Sequence, residues 1–175
     1  NLPGHIVECG LYKGASFIRF ATFRDVLESP FSRKIIGFDA FGEFPKQDDK
    51  EDTQFIQRFE EKGGDGISVD ELKEVFTYKS FENYELIKGD IIETIPEYIS
   101  KYPELKIALL HIDFDVYKPT VTILNNLYEK VVSGGLVIFD DYGLIAGETK
   151  AVDEYFEGKE MLIEKLPISH VPTYI

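Results

Sequence analysis

Short apolar runs and amphipathic stripes alternate along this chain, and their order predicts the elements. His5–Cys9 (HIVEC) is a compact apolar run ending at Gly10, the pattern of a buried parallel strand followed by a turn. Across Ala15–Glu28, the apolar positions Phe17, Phe20, Ala21 and Leu27 recur at helical spacing, and Ser29-Pro30 stops that helix. Lys34–Asp39 (KIIGFD) predicts a second strand. Lys46–Asp52 (KQDDKED) is too charged for a core, and Phe55, Ile56 and Phe59 follow it at helical spacing. The excursion Lys46–Glu61 is long for a βα loop, so it is expected to act as a mobile lid or to be a solvated loop with one packed helix. Ser68-x-x-Glu71 reads as a capping box opening a helix with Leu72, Val75 and Phe76 on one face. Tyr84–Lys88 reads as a third strand, and Thr94-x-x-Glu97 as the cap of a short helical segment.

The second half repeats the alternation. Lys106–Ile112 (KIALLHI) predicts a strand buried on both faces apart from His111. Leu124, Leu127, Tyr128 and Val131 predict a helix over Thr120–Val132, which Gly134-Gly135 ends before a strand at Leu136–Phe139. Ala151, Val152, Tyr155 and Phe156 mark a last helix. Met161–Leu166 and His170–Ile175 then predict two strands with no helix between them. Such an order implies an α/β fold: a mostly parallel seven-stranded sheet, helices on both faces, and one antiparallel strand near the C-terminus.

Composition narrows the function classes. The 175 residues suit one domain spanning 1–175, and 43% apolar with 14% aromatic residues can build a core. Nineteen Lys and Arg against 32 Asp and Glu give a net charge of −13. Without a basic cluster, nucleic acid and anionic membranes are poor partners. The single cysteine, Cys9, excludes an internal disulfide and fits a reducing, cytoplasmic compartment. No apolar run approaches the roughly 18 residues of a membrane span. No signal peptide is evident, and the missing initiator Met sets the expectation that the chain starts inside a longer product.

Ligands of open parallel sheets bind beyond the carboxyl ends of the strands, so the residues just after each strand carry the chemistry. Gly10 and Gly14 follow the first strand. They permit either a close ligand approach or an ordinary βα turn. Asp39 ends the second strand, where it can accept hydrogen bonds from ribose hydroxyls or serve as a cap. Gly89-Asp90 ends the third strand and can border an adenine or simply turn the chain. The sharpest signal is Asp113, Asp115, Asp140 and Asp141 at the ends of two predicted strands. Four carboxylates at one sheet edge are costly unless a proton or cation neutralises them, and oxygen-only donors suit Mg²⁺ or another hard divalent cation. His111 is a candidate base, with a structural role as the alternative.

Four ordered segments, Glu8–Gly14 (ECGLYKG), Phe38–Pro45 (FDAFGEFP), His111–Tyr117 (HIDFDVY) and Gly134–Gly143 (GGLVIFDDYG), resemble the macrocin O-methyltransferases of the TylF/MycF type. The likeness extends through Gly66–Pro96 and Gly147–Phe156. It implies a Rossmann-like class I methyltransferase fold and S-adenosylmethionine-dependent methylation of a deoxysugar hydroxyl. It further implies cofactor contacts at Glu8, Gly10, Gly14, Ser16, Asp39, Gly89, Asp90 and Asp113. Asp113, Asp140 and Asp141 fall on Mg²⁺ ligands and Asp115 on a candidate general base. The partner implied is a small-molecule sugar or glycan acceptor, with association into a homo-oligomer left open. Two departures stand out: the covering segment before the first strand is almost absent, and Asp39-Ala40-Phe41 replaces the usual Asp-Ser-Phe. A catechol-type O-methyltransferase and a non-catalytic cofactor-binding domain are the alternatives; Asp140-Asp141 in place of Asp-Asn favours the sugar family.

Overall fold

A computed structural model of the protein describes residues 2–45 and 50–175. Its strands are β1 (His5–Cys9), β2 (Ile35–Asp39), β3 (Tyr84–Lys88), β4 (Ile107–Ile112), β5 (Val131–Phe139), β6 (Glu164–Lys165) and β7 (Thr173–Tyr174). Helices α1 (Ala15–Leu27), α2 (Lys50–Gly63), α3 (Val69–Tyr78), α4 (Ile91–Lys101), α5 (Tyr117–Leu127) and α6 (Ala146–Phe156) separate them. The sheet order is β3-β2-β1-β4-β5-β7-β6. β1 to β5 are parallel, and β7 runs antiparallel to both β5 and β6. The α/β expectation, with one reversed strand near the C-terminus, holds.

Period-two alternation distributes β1 between two cores. Val7 and Cys9 join Ile95, Leu110, Ile123, Leu124 and Phe156 on the face covered by α4, α5 and α6. Ile6 joins Phe17, Ala21, Leu72 and Phe76 under α1 and α3. Glu8, between Val7 and Cys9, therefore points toward the α1 side, and its register partners are Gly37 and His111. A Cβ at position 37 would lie 2.9 Å from the side chains of Leu11 and Phe17, so glycine lets both pack against β2 without a shift.

Several boundaries differ from the sequence reading for identifiable reasons. The first helix buries Phe17, Ala21 and Arg24 while Leu27 is 78% exposed. Arg24 takes the core place because its guanidinium donates to the backbone oxygens of Arg33, Glu82 and Asn83. The capping box at Ser68 and Glu71 forms as expected. The one at Thr94 does not open a helix, because Asp90 caps α4 a turn earlier by accepting from Ile92 N at 2.9 Å. α5 starts at Tyr117 and ends at Leu127, and a 3-10 turn, Tyr128–Lys130, leads into β5. That strand runs through Gly134-Gly135, with Gly134 at φ 80°, instead of beginning after the glycines. The last two strands shrink to two residues each.

Candidate active site

The strand order reverses between β1 and β4, the place where open α/β sheets form a cleft. A cavity of about 250 Å³ lies there, bounded by Gly10, Asp39, Asp113, Asp115, Asp140 and Asp141, with Tyr12, Phe44 and Phe59 as an aromatic wall. Ladder hydrogen bonds continue past the strand ends. Asp113 N donates to Cys9 O at 2.9 Å and Asp140 N to Ile112 O at 3.0 Å, which fixes both aspartates at the rim. Gly10, at φ 87°, lies so close to Asp113 that a Cβ would overlap the Asp113 carbonyl.

On the β1–β2 side the backbone satisfies the carboxylate. Asp39 Oδ2 accepts from Leu11 N at 2.7 Å and Tyr12 N at 3.2 Å, and Oδ1 accepts from Phe41 N at 2.5 Å. Tyr12 and Phe41 both have left-handed backbones, at φ 47° and 52°. Asp39 thus braces two strained loops, and about one of its roughly four lone-pair sites is left for a ligand.

The β4–β5 side is crowded. Carboxylate oxygens of Asp113, Asp115 and Asp141 lie within 4.8 Å of one another. Asp115 sits at φ 60°, and Val116 N donates across it to Phe114 O at 2.5 Å, a γ-turn costing on the order of 1–3 kcal/mol. Burial, then the charge of Asp140, pushes Asp113 up to about 7, with His111 opposing. Burial also raises Asp115 and Asp141, which share a hydrogen bond and hence a proton. Crowded, partly desolvated carboxylates of this kind match the donor set of a hard cation, because a dication repays both desolvation and repulsion.

His111 is 5% exposed between two carboxylates, with Nδ1 3.1 Å from Glu8 Oε1 and Nε2 3.5 Å from Asp140 Oδ1. Burial disfavours its charge, but hydrogen bonds to Asp140 and Glu8 outweigh burial and lift it to about 10. Burial likewise raises Glu8, whose Oε1 also accepts from Ser16 Oγ. Both shifts keep a proton within the pair, which holds the two side chains together.

A family model for the macrocin O-methyltransferases (TylF) matches residues 1–173. The chain belongs to that family. It is 29% identical over 185 residues to a demethyldecarbamoylnovobiocin O-methyltransferase of Streptomyces niveus, covering 99% of this chain and 66% of that protein. It is 27% identical to a tetracenomycin-rhamnosyl 4'-O-methyltransferase of Streptomyces olivaceus, covering 83% of this chain and 56% of that one. Among solved structures, the O-methyltransferase NovP superposes with a TM-score of 0.84 at 27% identity, and a calicheamicin methyltransferase with 0.76 at 26%; each match covers 99% of this chain and 72% of the other. The chain thus spans just under two thirds or less of the length of these curated relatives. The S-adenosylmethionine-bound fibrillarin of Aeropyrum pernix, at 12% identity and a TM-score of 0.54, shares the class I methyltransferase fold alone.

Within this family fold, the residues expected at the site fall into two groups. Gly10, Asp39, Asp113, Asp115, Asp140 and Asp141 meet at the cavity. Glu8 and Ser16 lie beneath it, while Gly14 caps α1 at φ 75° and Asp90 caps α4. Gly89 turns the chain at φ 145°, its N–H donating to Asp39 O at 3.0 Å. Asp115, read as a base, stands inside the carboxylate cluster, and Asp140, read as a ligand, faces His111.

Two buried acids beside the site escaped the sequence reading. Glu148 on α6 is fully buried, with Oε1 accepting from Asp141 N at 3.2 Å; burial, then the Asp141 charge, raises it to about 8. Asp52, assigned to a solvated stretch, is 6% exposed and accepts from Tyr117 N at 3.0 Å. That bond ties α2 to the start of α5. α2 itself forms a cavity wall, with Phe59 packed on Tyr12, and Glu60 accepting from Phe44 N. The first residues of the Lys46–Glu61 excursion, 46–49, lie outside the described residues. Among the described residues, no helix is long and apolar enough to cross a membrane.

Proposed function

We propose that the protein is an S-adenosylmethionine-dependent O-methyltransferase that methylates a hydroxyl of a sugar or a sugar-bearing natural product with help from Mg²⁺ or another hard divalent cation. One observation carries the reading: a tight glycine loop and a cluster of under-neutralised carboxylates open into one cavity at the sheet's switch point. Family membership and the sugar-linked names of the relatives supply the acceptor class. The enzyme is read as cytoplasmic, in keeping with its lone buried thiol.

In this reading the Gly10 turn lets the cofactor approach the backbone beside Asp113, and Asp39 keeps the loop in shape while offering its remaining acceptor site to a ribose hydroxyl. Asp113, Asp140 and Asp141 would hold the cation, with His111 steering Asp140. A bound dication would keep these carboxylates ionised and lower the pKa of an acceptor hydroxyl. Asp115, fixed by its γ-turn, takes the hydroxyl proton as general base. Phe44, Phe59 and Tyr12 exclude water and orient the acceptor for in-line attack on the methyl group. The test is methyl transfer from S-adenosylmethionine to a deoxysugar acceptor and to a catechol, with and without a chelator. Transfer to the sugar alone, lost to the chelator and restored by Mg²⁺, is expected. Catechol methylation, or full activity in chelator, would reject the reading.

A further inference from the structure

Glu148 is a carboxylate with no role in the reaction outlined above, yet its surroundings are built with unusual care. It lies in the first turn of α6, fully buried. Its Oε1 accepts from the backbone N–H of Asp141, and its own N–H donates to the carbonyl of Asp115 at 3.1 Å. One residue therefore grips the backbone of two members of the carboxylate cluster, on two different loops. Its neighbour Gly147 packs so closely that a Cβ would press on the Asp115 carbonyl, the Tyr117 N–H and Asp52 Oδ1 at 2.7–2.8 Å. The helix start is thus seated against the strained turn at Asp115, a conformation that persists only when its surroundings over-determine it.

The second oxygen, Oε2, is buried and has no hydrogen-bond partner among the described residues. A buried unpaired carboxylate oxygen is costly, and replacing it with a neutral group would be the simplest relief. Glutamine would retain the acceptor for Asp141 N, so the hydrogen bond alone does not explain a carboxylate here. What the acid adds is the capacity to carry negative charge behind Asp141 and Asp115 when a cation is bound there.

We infer that Glu148 is a positioning residue of the cation site: it holds Asp141 and Asp115 in the geometry that makes them converge, and its charge in the loaded site strengthens the hold of Asp113, Asp140 and Asp141 on a dication it does not touch. This rests on the cation reading above. Outer partners of metal ligands characteristically change metal affinity by about 10–100-fold when replaced.

The experiment uses Mn²⁺ alone as probe, titrated into the protein and into Glu148→Gln and Glu148→Ala, with affinity read from the electron spin resonance of free Mn²⁺. Binding of S-adenosylhomocysteine and thermal unfolding in chelator are measured alongside. Glu148→Gln should bind Mn²⁺ about tenfold more weakly, and Glu148→Ala more weakly still, toward about 100-fold. Glu148→Gln should bind S-adenosylhomocysteine as the parent does and unfold in chelator at the same or a higher temperature, because the amide keeps the acceptor for Asp141 N without the cost of burying a charge. Weaker metal affinity with undiminished metal-free stability is what a merely structural residue would not produce. Equal Mn²⁺ affinity in the parent and Glu148→Gln would overturn this inference and leave the cation reading standing. A joint loss of stability, cofactor binding and Mn²⁺ binding in Glu148→Gln would also overturn it, assigning the residue to the core. No saturable Mn²⁺ binding by the parent would defeat the cation reading and this inference together.

Discussion

The carboxylates at the two halves of the cleft meet opposite fates. At the end of β2, Asp39 receives three backbone N–H groups from the loops it braces. Across the cavity, Asp113, Asp115 and Asp141 crowd within 4.8 Å, with Glu148 buried behind them. The first arrangement is complete as the chain folds. The second leaves charge that the protein balances only in part, through His111 and a shared proton. In the proposed function, a cation would supply the missing balance.

The contrast is broken most severely by removing a member of the crowded half. Asp113→Asn and Asp141→Asn should each lower methyl transfer by about 100-fold or more, several kcal/mol of transition-state stabilisation. Their unfolding temperature in chelator should not fall. A variant that loses stability but keeps its rate would make these acids structural, like Asp39.

A second effect comes from pH. Asp113 is raised from 3.8 to about 7, Glu148 from 4.5 to about 8 and His111 from 6.5 to about 10. Each holds its proton in the folded state over a range where the unfolded chain has released it, so each contributes stability at low pH that is lost as pH rises. In chelator, the unfolding temperature should therefore decline from about pH 4 to about pH 8 through the two acids, and further toward about pH 10 through His111. Added Mg²⁺ should flatten the acid part of that decline. A metal-free protein whose stability rises across the first interval would contradict the crowding.

The satisfied half sharpens the comparison with a smaller change. Asp39→Ala removes a charged acceptor from three backbone donors and should cost about 1.5–3 kcal/mol of stability, with weaker S-adenosylmethionine binding by calorimetry and unchanged Mn²⁺ affinity. Smallest is Asp90→Ala, a lost helix cap worth about 1 kcal/mol, with no effect on cofactor affinity if Asp90 serves only α4. A large loss of affinity there would return Asp90 to the adenine site.

What the sequence disclosed follows the same division. Strand runs and the Ser68 capping box are local signals, and they survived folding with boundaries shifted by a few residues. The glycine turn and the aspartates sit at strand ends, where topology alone brings them together. Glu148, Asp52 and Arg24 were not legible, because each is a polar residue on a helix whose burial depends on a distant backbone group. Periodicity counts such residues as solvent-facing. Leu27 is the converse: an apolar residue at helical spacing that stays exposed. The pairing of Asp140 with His111 required the β4–β5 register, which places His111 beside Ile138 and Ile112 beside Phe139.

The central claim is that Asp113, Asp140 and Asp141 form a cation site, and a calorimetric titration of Mg²⁺ into the protein and into Asp141→Asn, each saturated with S-adenosylhomocysteine, tests it most directly. One saturable site per chain, weakened at least about tenfold by the substitution, is the predicted result. Absence of saturable binding in the parent, or equal binding in Asp141→Asn, would contradict it.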